Sequence, residues 1–225
     1  NGTDIILSRN ESGILGNVSL NLEGDETAPD ETSDSLRFAA ARREAHFDLD
    51  LSYVTQTGQV DIGAVFSKIS PQMFASRTSA LAQLGNLNFP LSGTLSLTMN
   101  LDGKVPLVGF DLFGDEGVLD LPFFYKDPVK FTQIALRGRV EDDFDRLFLD
   151  EAFLDFADGQ IKANGLVSYK GDDLVIQGEG VLTDLPFDDL DIYWPADFYP
   201  FEREWVTTNL SGGVLPKVTT DFVYT

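Results

Sequence analysis

One histidine, 37 acidic side chains and no cysteine make up the main stock of acid–base and metal-binding groups in this 225-residue chain. Without cysteine there is no disulfide, thiolate nucleophile or thiolate zinc site, and a single imidazole excludes a metal centre built mainly from histidine. His46 would have to act as the sole imidazole base. It stands one residue before an alternating apolar run and on the opposite parity from Phe47 and Leu49, which reads as an exposed or edge histidine. Acids cluster at Glu141-Asp142-Asp143-Phe144-Asp145, at Asp172-Asp173 and at Asp188-Asp189-Leu190-Asp191. None has the loop spacing and sharp-bend glycine that gather oxygens around calcium, so solvated hairpin tips are preferred to a bound cation. Carboxylates for glycoside hydrolysis could be drawn from any of the acids, which makes their abundance uninformative. No G-x-S-x-G elbow, phosphate-cradling loop or dinucleotide fingerprint occurs. The expectation is a protein that is not an enzyme, with no catalytic residue, no metal and no cofactor.

Charge narrows the partners. Sixteen basic residues leave a net charge of −21, and a surface that acidic repels phosphate backbones and anionic headgroups, so a nucleic-acid partner is not expected. Hydrophobic residues make up 43% of the chain, enough to bury a core and to exclude disorder of the whole. The longest unbroken apolar stretch is Phe38-Ala39-Ala40-Ala41. A bilayer-crossing helix needs about 20 such residues, so neither a span nor a signal peptide is read. The chain starts at Asn1 without methionine and enters a strand-like pattern at Ile5, which suggests a segment cut from a longer protein.

The elements that would position any site are mostly strands. Phe47, Leu49, Leu51 and Tyr53 alternate with Asp48, Asp50 and Ser52, and Leu95, Leu97, Met99 and Leu101 alternate with Ser96, Thr98 and Asn100. Period two of this kind gives a strand with one apolar and one wetted face. Counted the same way, about eleven strands are expected, at 4–9, 13–23, 47–53, 59–67, 95–101, 105–113, 129–140, 146–156, 161–167, 173–182 and 213–224. Turn-forming glycines recur at Gly13, Gly58, Gly103, Gly117, Gly159 and Gly213, mostly forty-odd residues apart. That weak repeat favours successive hairpins along one axis over two compact sandwiches. Two helices interrupt the strands. Ser70 caps one that starts at Pro71, carries Met73, Ala80, Leu81 and Leu84 on one face, and stops at Gly85; the other spans about 200–210 with Phe201, Trp205 and Val206 as its apolar side. Residues 25–35 carry five acids and no base, and read as a mobile acidic loop.

Aromatic residues are abundant, with 18 Phe, 6 Tyr and 2 Trp. Phe123-Phe124-Tyr125 and the stretch from Phe187 through Tyr193, Trp194, Phe198 and Tyr199 to Phe201 fall in segments that look like loops or sheet ends. Such area either plugs the open ends of a sheet core or forms the wall of an apolar groove, the plug being preferred.

The C-terminal third carries Leu185-Pro186, then Tyr193-Trp194-Pro195, then Arg203-x-Trp205-Val206, then Leu210-Ser211-Gly212-Gly213-Val214. This order resembles a block of the AsmA-like family, in its large members with a YWP…R-x-W-V…GG pattern. Upstream, Ile69-Ser70-Pro71, Leu87 and Pro90-Leu91-Ser92-Gly93 look like the same family's helix and return strand. The similarity covers roughly residues 45–225 and has no counterpart for the first 44. It implies a mainly β fold, a twisted, mostly antiparallel, groove-shaped sheet of the repeating β-groove type with two short helices. It also implies a place in the Gram-negative periplasm, tethered by an N-terminal inner-membrane helix absent from this chain, and a role in moving phospholipid toward the outer membrane. The resemblance carries no catalytic residues. On this reading residues 1–225 are one β-groove segment, monomeric, whose partners are phospholipid acyl chains and, through parts outside this chain, the inner and outer membranes.

Physical chemistry states what such a conduit needs. Exposing lipid tails to water costs about 0.8 kcal/mol per CH₂, so a sixteen-carbon chain costs about 12 kcal/mol and a passive carrier must offer unbroken apolar surface. The candidate lining is Phe47, Leu49, Leu51, Leu95, Leu97, Met99, Leu101, Ile134, Leu136, Leu174 and Ile176. Two other readings stand beside it. One is a structural or interaction module for envelope assembly, with a sealed core and open edge strands; the other is a carbohydrate-active β-sandwich.

Overall fold

The computed structural model describes residues 2–10, 13–22, 45–74, 85, 87, 89–120, 125, 127–156, 158–170, 173–194, 196 and 199–224. The expected acidic loop at 25–35 lies outside these residues, as do Ala80, Leu81 and Leu84 of the first expected helix. The strands, in chain order, are β1 (Gly2–Asn10), β2 (Gly13–Leu22), β3 (Ala45–Val54), β4 (Gln59–Ile69), β5 (Leu91–Asn100), β6 (Leu107–Gly114), β7 (Gly117–Leu119), β8 (Val129–Phe131), β9 (Gln133–Glu141), β10 (Arg146–Phe156), β11 (Gly159–Lys170), β12 (Asp173–Pro186) and β13 (Val214–Tyr224). Eleven of them form one curved antiparallel sheet in the order β1-β2-β3-β4-β5-β6-β9-β10-β11-β12-β13, while β7 and β8 pair separately. The sheet does not close into a barrel. Fold class and mainly antiparallel topology are as the alternation implies.

Two features depart from the expected strands and turns. The run 129–140 splits at Thr132, whose N–H and hydroxyl both donate to the Asp155 carbonyl, at 2.8 and 3.0 Å. The split follows parity, because Val129 and Phe131 are buried at odd positions while Ile134 and Leu136 continue at even ones. Gly117, read above as a turn glycine, opens β7 instead. A Cβ there would stand 2.5 Å from Phe131 Cζ and 2.7 Å from Phe89 Cβ, so close ring packing, not a turn, requires glycine. Gly58 and Gly103 do adopt the left-handed φ of tight turns, at +66° and +85°.

The helices are short. Residues Pro71–Phe74 form a single 3-10 turn where the first was expected. A 3-10 turn at Phe187–Asp189 leads into α1 (Leu190–Tyr193), and α2 (Pro200–Asn209) matches the second. Its expected apolar side divides: Phe201 and Trp205 are exposed, whereas Val206 turns inward beside Arg203 and Thr207.

Register fixes which residues share a face. Directly opposite partners run Leu51, Ile62, Leu97, Val108, Val140, Leu147, Val167, Ile176 across β3 to β12 without a polar residue. Two bulges preserve this face. Between Phe66 and Ile69 in β4, and between Leu149 and Ala152 in β10, one extra residue shifts the parity of the sequence, so that the apolar positions of the two halves stay on one side.

Apart from Ala64 and Gly138, burial on that face is concentrated at one end. Phe89, Leu91, Leu119, Val129, Phe131, Ile134 and Phe156 form the buried cluster, with Tyr125 and Tyr193 packed against it. The small β7–β8 sheet thus caps the lower rows of the large one. Phe89 meets Phe131 edge-on at 4.8 Å, and Tyr193 lies 4.1 Å from Phe156 between ring centroids.

Candidate functional site

The apolar face between β3 and β12 runs across eight adjacent strands. Its eight-residue row is partly buried throughout, yet none of those side chains belongs to the fully buried set. The next row reads Leu49, Ala64, Leu95, Phe110, Gly138, Leu149, Gly165, Gly178, and the one below it Phe47, Phe66, Gly93, Leu112, Leu136, Ala152, Ala163, Gly180. The β3–β6 half therefore carries large side chains, and the β9–β12 half carries mainly glycine and alanine. Val140, Leu147, Val167 and Ile176 stand above these small residues; Ile134, Leu154, Ile161 and Leu182 stand below. The result is an apolar face whose middle rows are small across β9–β12, with the Phe89–Phe131 cluster at its lower end.

The most exposed large apolar strand residues differ between the two faces. Between β3 and β12, no large apolar strand residue on this face is more exposed than Leu95, at 40%, whereas Val65 on the opposite face of β4 reaches 51%.

The opposite face carries the charge, interspersed with apolar side chains such as Val65, Phe113, Phe148 and Leu166. Arg137 pairs with Glu151 at 3.0 Å, Arg139 with Glu141 and Asp150 at 2.7 and 3.0 Å, and Arg146 with Glu141 and Asp142 at 3.3 and 2.5 Å. Hydrogen bonding to Glu141 holds the Arg139 guanidinium above its ordinary pKa, and the same guanidinium lies 4.2 Å over the Phe148 ring. His46 Nε2 lies 2.5 Å from Asp48 Oδ2, two residues along the same strand face. Among the described residues no group of three or more His, Asp or Glu is placed to hold a metal ion, and no helix is long and apolar enough to cross a membrane.

Of the eleven residues chosen from sequence, Phe47, Leu49, Leu51, Leu95, Leu97, Met99, Ile134, Leu136 and Ile176 lie on the apolar face. Ile134 and Leu136 belong to its sealed end, Ile134 within the buried cluster and Leu136 packed against it. Leu101 leaves the face altogether: it stands in the turn after β5 and is 69% exposed. Leu174 pairs with Tyr169 in the β11–β12 ladder, and its side chain lies outside the described residues. Sequence selection missed Ile62, Val108, Val140, Leu147 and Val167. The signal for them was present, since counting outward from the Gly58 and Gly103 turns places Ile62 opposite Leu51 and Val108 near Leu97.

Two residues of the aromatic stretches follow the plug reading given for them. Tyr125 and Tyr193 plug the sealed end, where burial pushes both phenols above their ordinary pKa, with Asp189 and Asp158 adding to the shift at Tyr193. Tyr199, Phe201 and Trp205 stay exposed. Phe123, Phe124 and Phe198 lie outside the described residues.

No protein-family model matches the chain, and no curated protein or solved structure matches it either.

Proposed function

We propose that this chain is a non-enzymatic, lipid-binding segment of a β-groove conduit, its apolar face the surface along which phospholipid acyl chains lie. The observation that carries the reading is the row from Leu51 to Ile176, eight apolar side chains on eight adjacent strands, none of them sealed in a core. Eight strands spaced about 4.8 Å apart give a continuous apolar track roughly 34 Å long. The glycines and alanines of β9–β12 leave depth along it for a hydrocarbon chain. Such a track replaces the water-exposed path whose cost was set above at about 12 kcal/mol for sixteen carbons. The AsmA-like resemblance at Tyr193-Trp194-Pro195 and Arg203-x-Trp205-Val206 points the same way. With it come a monomeric segment, the periplasm and an inner-membrane tether elsewhere in the protein. The test is extraction of the purified chain for mass spectrometry, together with uptake of a fluorescent phospholipid. Co-purifying phospholipid and saturable uptake are expected. Loss of both in a folded preparation overturns the proposal.

A sealed interaction module is the second reading, favoured by the Phe89–Phe131 cluster that closes one end. It expects a lipid-free protein whose stability, not its lipid content, responds to substitutions along the Leu51–Ile176 row.

A further inference from the structure

The small residues of β9–β12 do not all stand open. Phe110 lies directly opposite Gly138 in the β6–β9 pair, and Phe222 lies directly opposite Gly178 in the β12–β13 pair. A Cβ at Gly138 would stand 2.8 Å from Phe110 Cζ, and a Cβ at Gly178 would stand 2.9 Å from Phe222 Cζ. Each ring therefore reaches off its own strand and rests its tip over the glycine of the next.

The two rings reach toward one another across the same row. Between the glycines they cover, that row carries only Leu149 and Gly165. A Cβ at Gly165 would meet backbone atoms of Gln177 and Gly178 first, with no side chain among its three nearest neighbours. Gly165 is thus uncovered where Gly138 and Gly178 are covered. Forcing a further methyl group into space that a ring already fills requires the ring to move, which is unfavourable in packed surroundings.

We infer that Phe110 and Phe222 set the cross-section of the hydrocarbon this face accepts. Unbranched acyl chains seat over the uncovered small residues. Methyl-branched chains are rejected, because the two rings occupy the places over Gly138 and Gly178 where a branch would lie. The inference rests on the lipid reading above and adds a substrate class to it, phospholipids with straight tails.

Two phospholipids with the same headgroup and the same headgroup fluorophore, one with palmitoyl and one with phytanoyl tails, test this when each is titrated with the chain from the same detergent micelles. The unaltered chain is expected to bind the palmitoyl probe about tenfold more tightly. Phe110→Leu and Phe222→Leu keep an apolar side chain but lose the reach to the glycine. Each should raise affinity for the phytanoyl probe about threefold or more and leave the palmitoyl probe within about twofold. A merely structural role would lower both affinities alike. Phe113→Leu, on the opposite face and 53% exposed, should leave the ratio unchanged. A ratio near one in the unaltered chain, or a ratio that neither variant shifts while circular dichroism is unchanged, overturns this inference and leaves the lipid reading standing. No saturable uptake of either probe overturns both.

Discussion

Arg203 closes the turn that Trp194 ends: its Nε donates to the Trp194 carbonyl at 2.9 Å, while its Nη2 donates to the Asp191 carbonyl at 2.7 Å. The last carbonyls of a helix have no partner within it, and here a guanidinium from α2 supplies two donors to the end of α1. Arg203→Ala is expected to cost about 2 kcal/mol, with Arg203→Lys recovering only part because an ammonium cannot span both acceptors. Urea unfolding followed by tryptophan fluorescence measures the loss. An unchanged far-ultraviolet spectrum would confirm that the sheet is intact.

Leu97 and Val65 occupy opposite faces of neighbouring strands. A carboxylate at Leu97 interrupts the apolar row and puts charge where a hydrocarbon chain would lie, so Leu97→Asp should lower fluorescent-lipid uptake about tenfold or more. Val65→Asp adds the same charge to the opposite face and should leave uptake unchanged. Equal loss in both variants would assign the effect to net charge and remove the apolar face from the mechanism.

Phe131 is 3% exposed and packs edge-on against Phe89. Phe131→Ala should destabilise the chain by about 3–5 kcal/mol, because the β7–β8 cap and the lower rows of the large sheet meet there. Calorimetry checks the size of the effect. A value below about 1 kcal/mol would mean that the cap is not part of the cooperative core.

Alkaline pH offers a second probe of the same end. Burial raises the Tyr125 phenol above its ordinary pKa of 10.0, so the folded chain keeps a proton that the unfolded chain gives up. Its contribution is fully present below 10.0 and is lost as pH rises from there through the folded pKa. Tyr125→Phe has no such proton, and its stability should fall less steeply over that window. Urea midpoints on either side of pH 10.0 for both proteins decide it.

Much of the sheet was legible because alternation is a local signal. Phe47, Leu49 and Leu51 announce β3 unaided, and Gly58 and Gly103 mark the hairpins on either side of β4 and β5. What alternation does not carry is whether anything lies on top. Leu97 and Ile134 look alike in sequence, yet one stays in the open row and the other is buried beneath β7–β8, a three-residue pair too short to register as periodicity. Phe201 and Trp205 misled for a related reason. Large side chains on one helical face normally point to a core, and here the inward face is set by Arg203 and its carbonyl partners.

Lys68 and Asp150 are the surplus residues of the two bulged strands, and neither is part of the apolar row. Removing either would restore unbroken alternation, Phe66-Ser67-Ile69 in one strand and Leu149-Glu151-Ala152 in the other, with every lining residue still on its own side. Bulges sharpen local twist, so these two positions govern how tightly the sheet coils. The coiling of the sheet and the composition of its apolar face are thus written in different residues, and a single-codon deletion can change the first without touching the second.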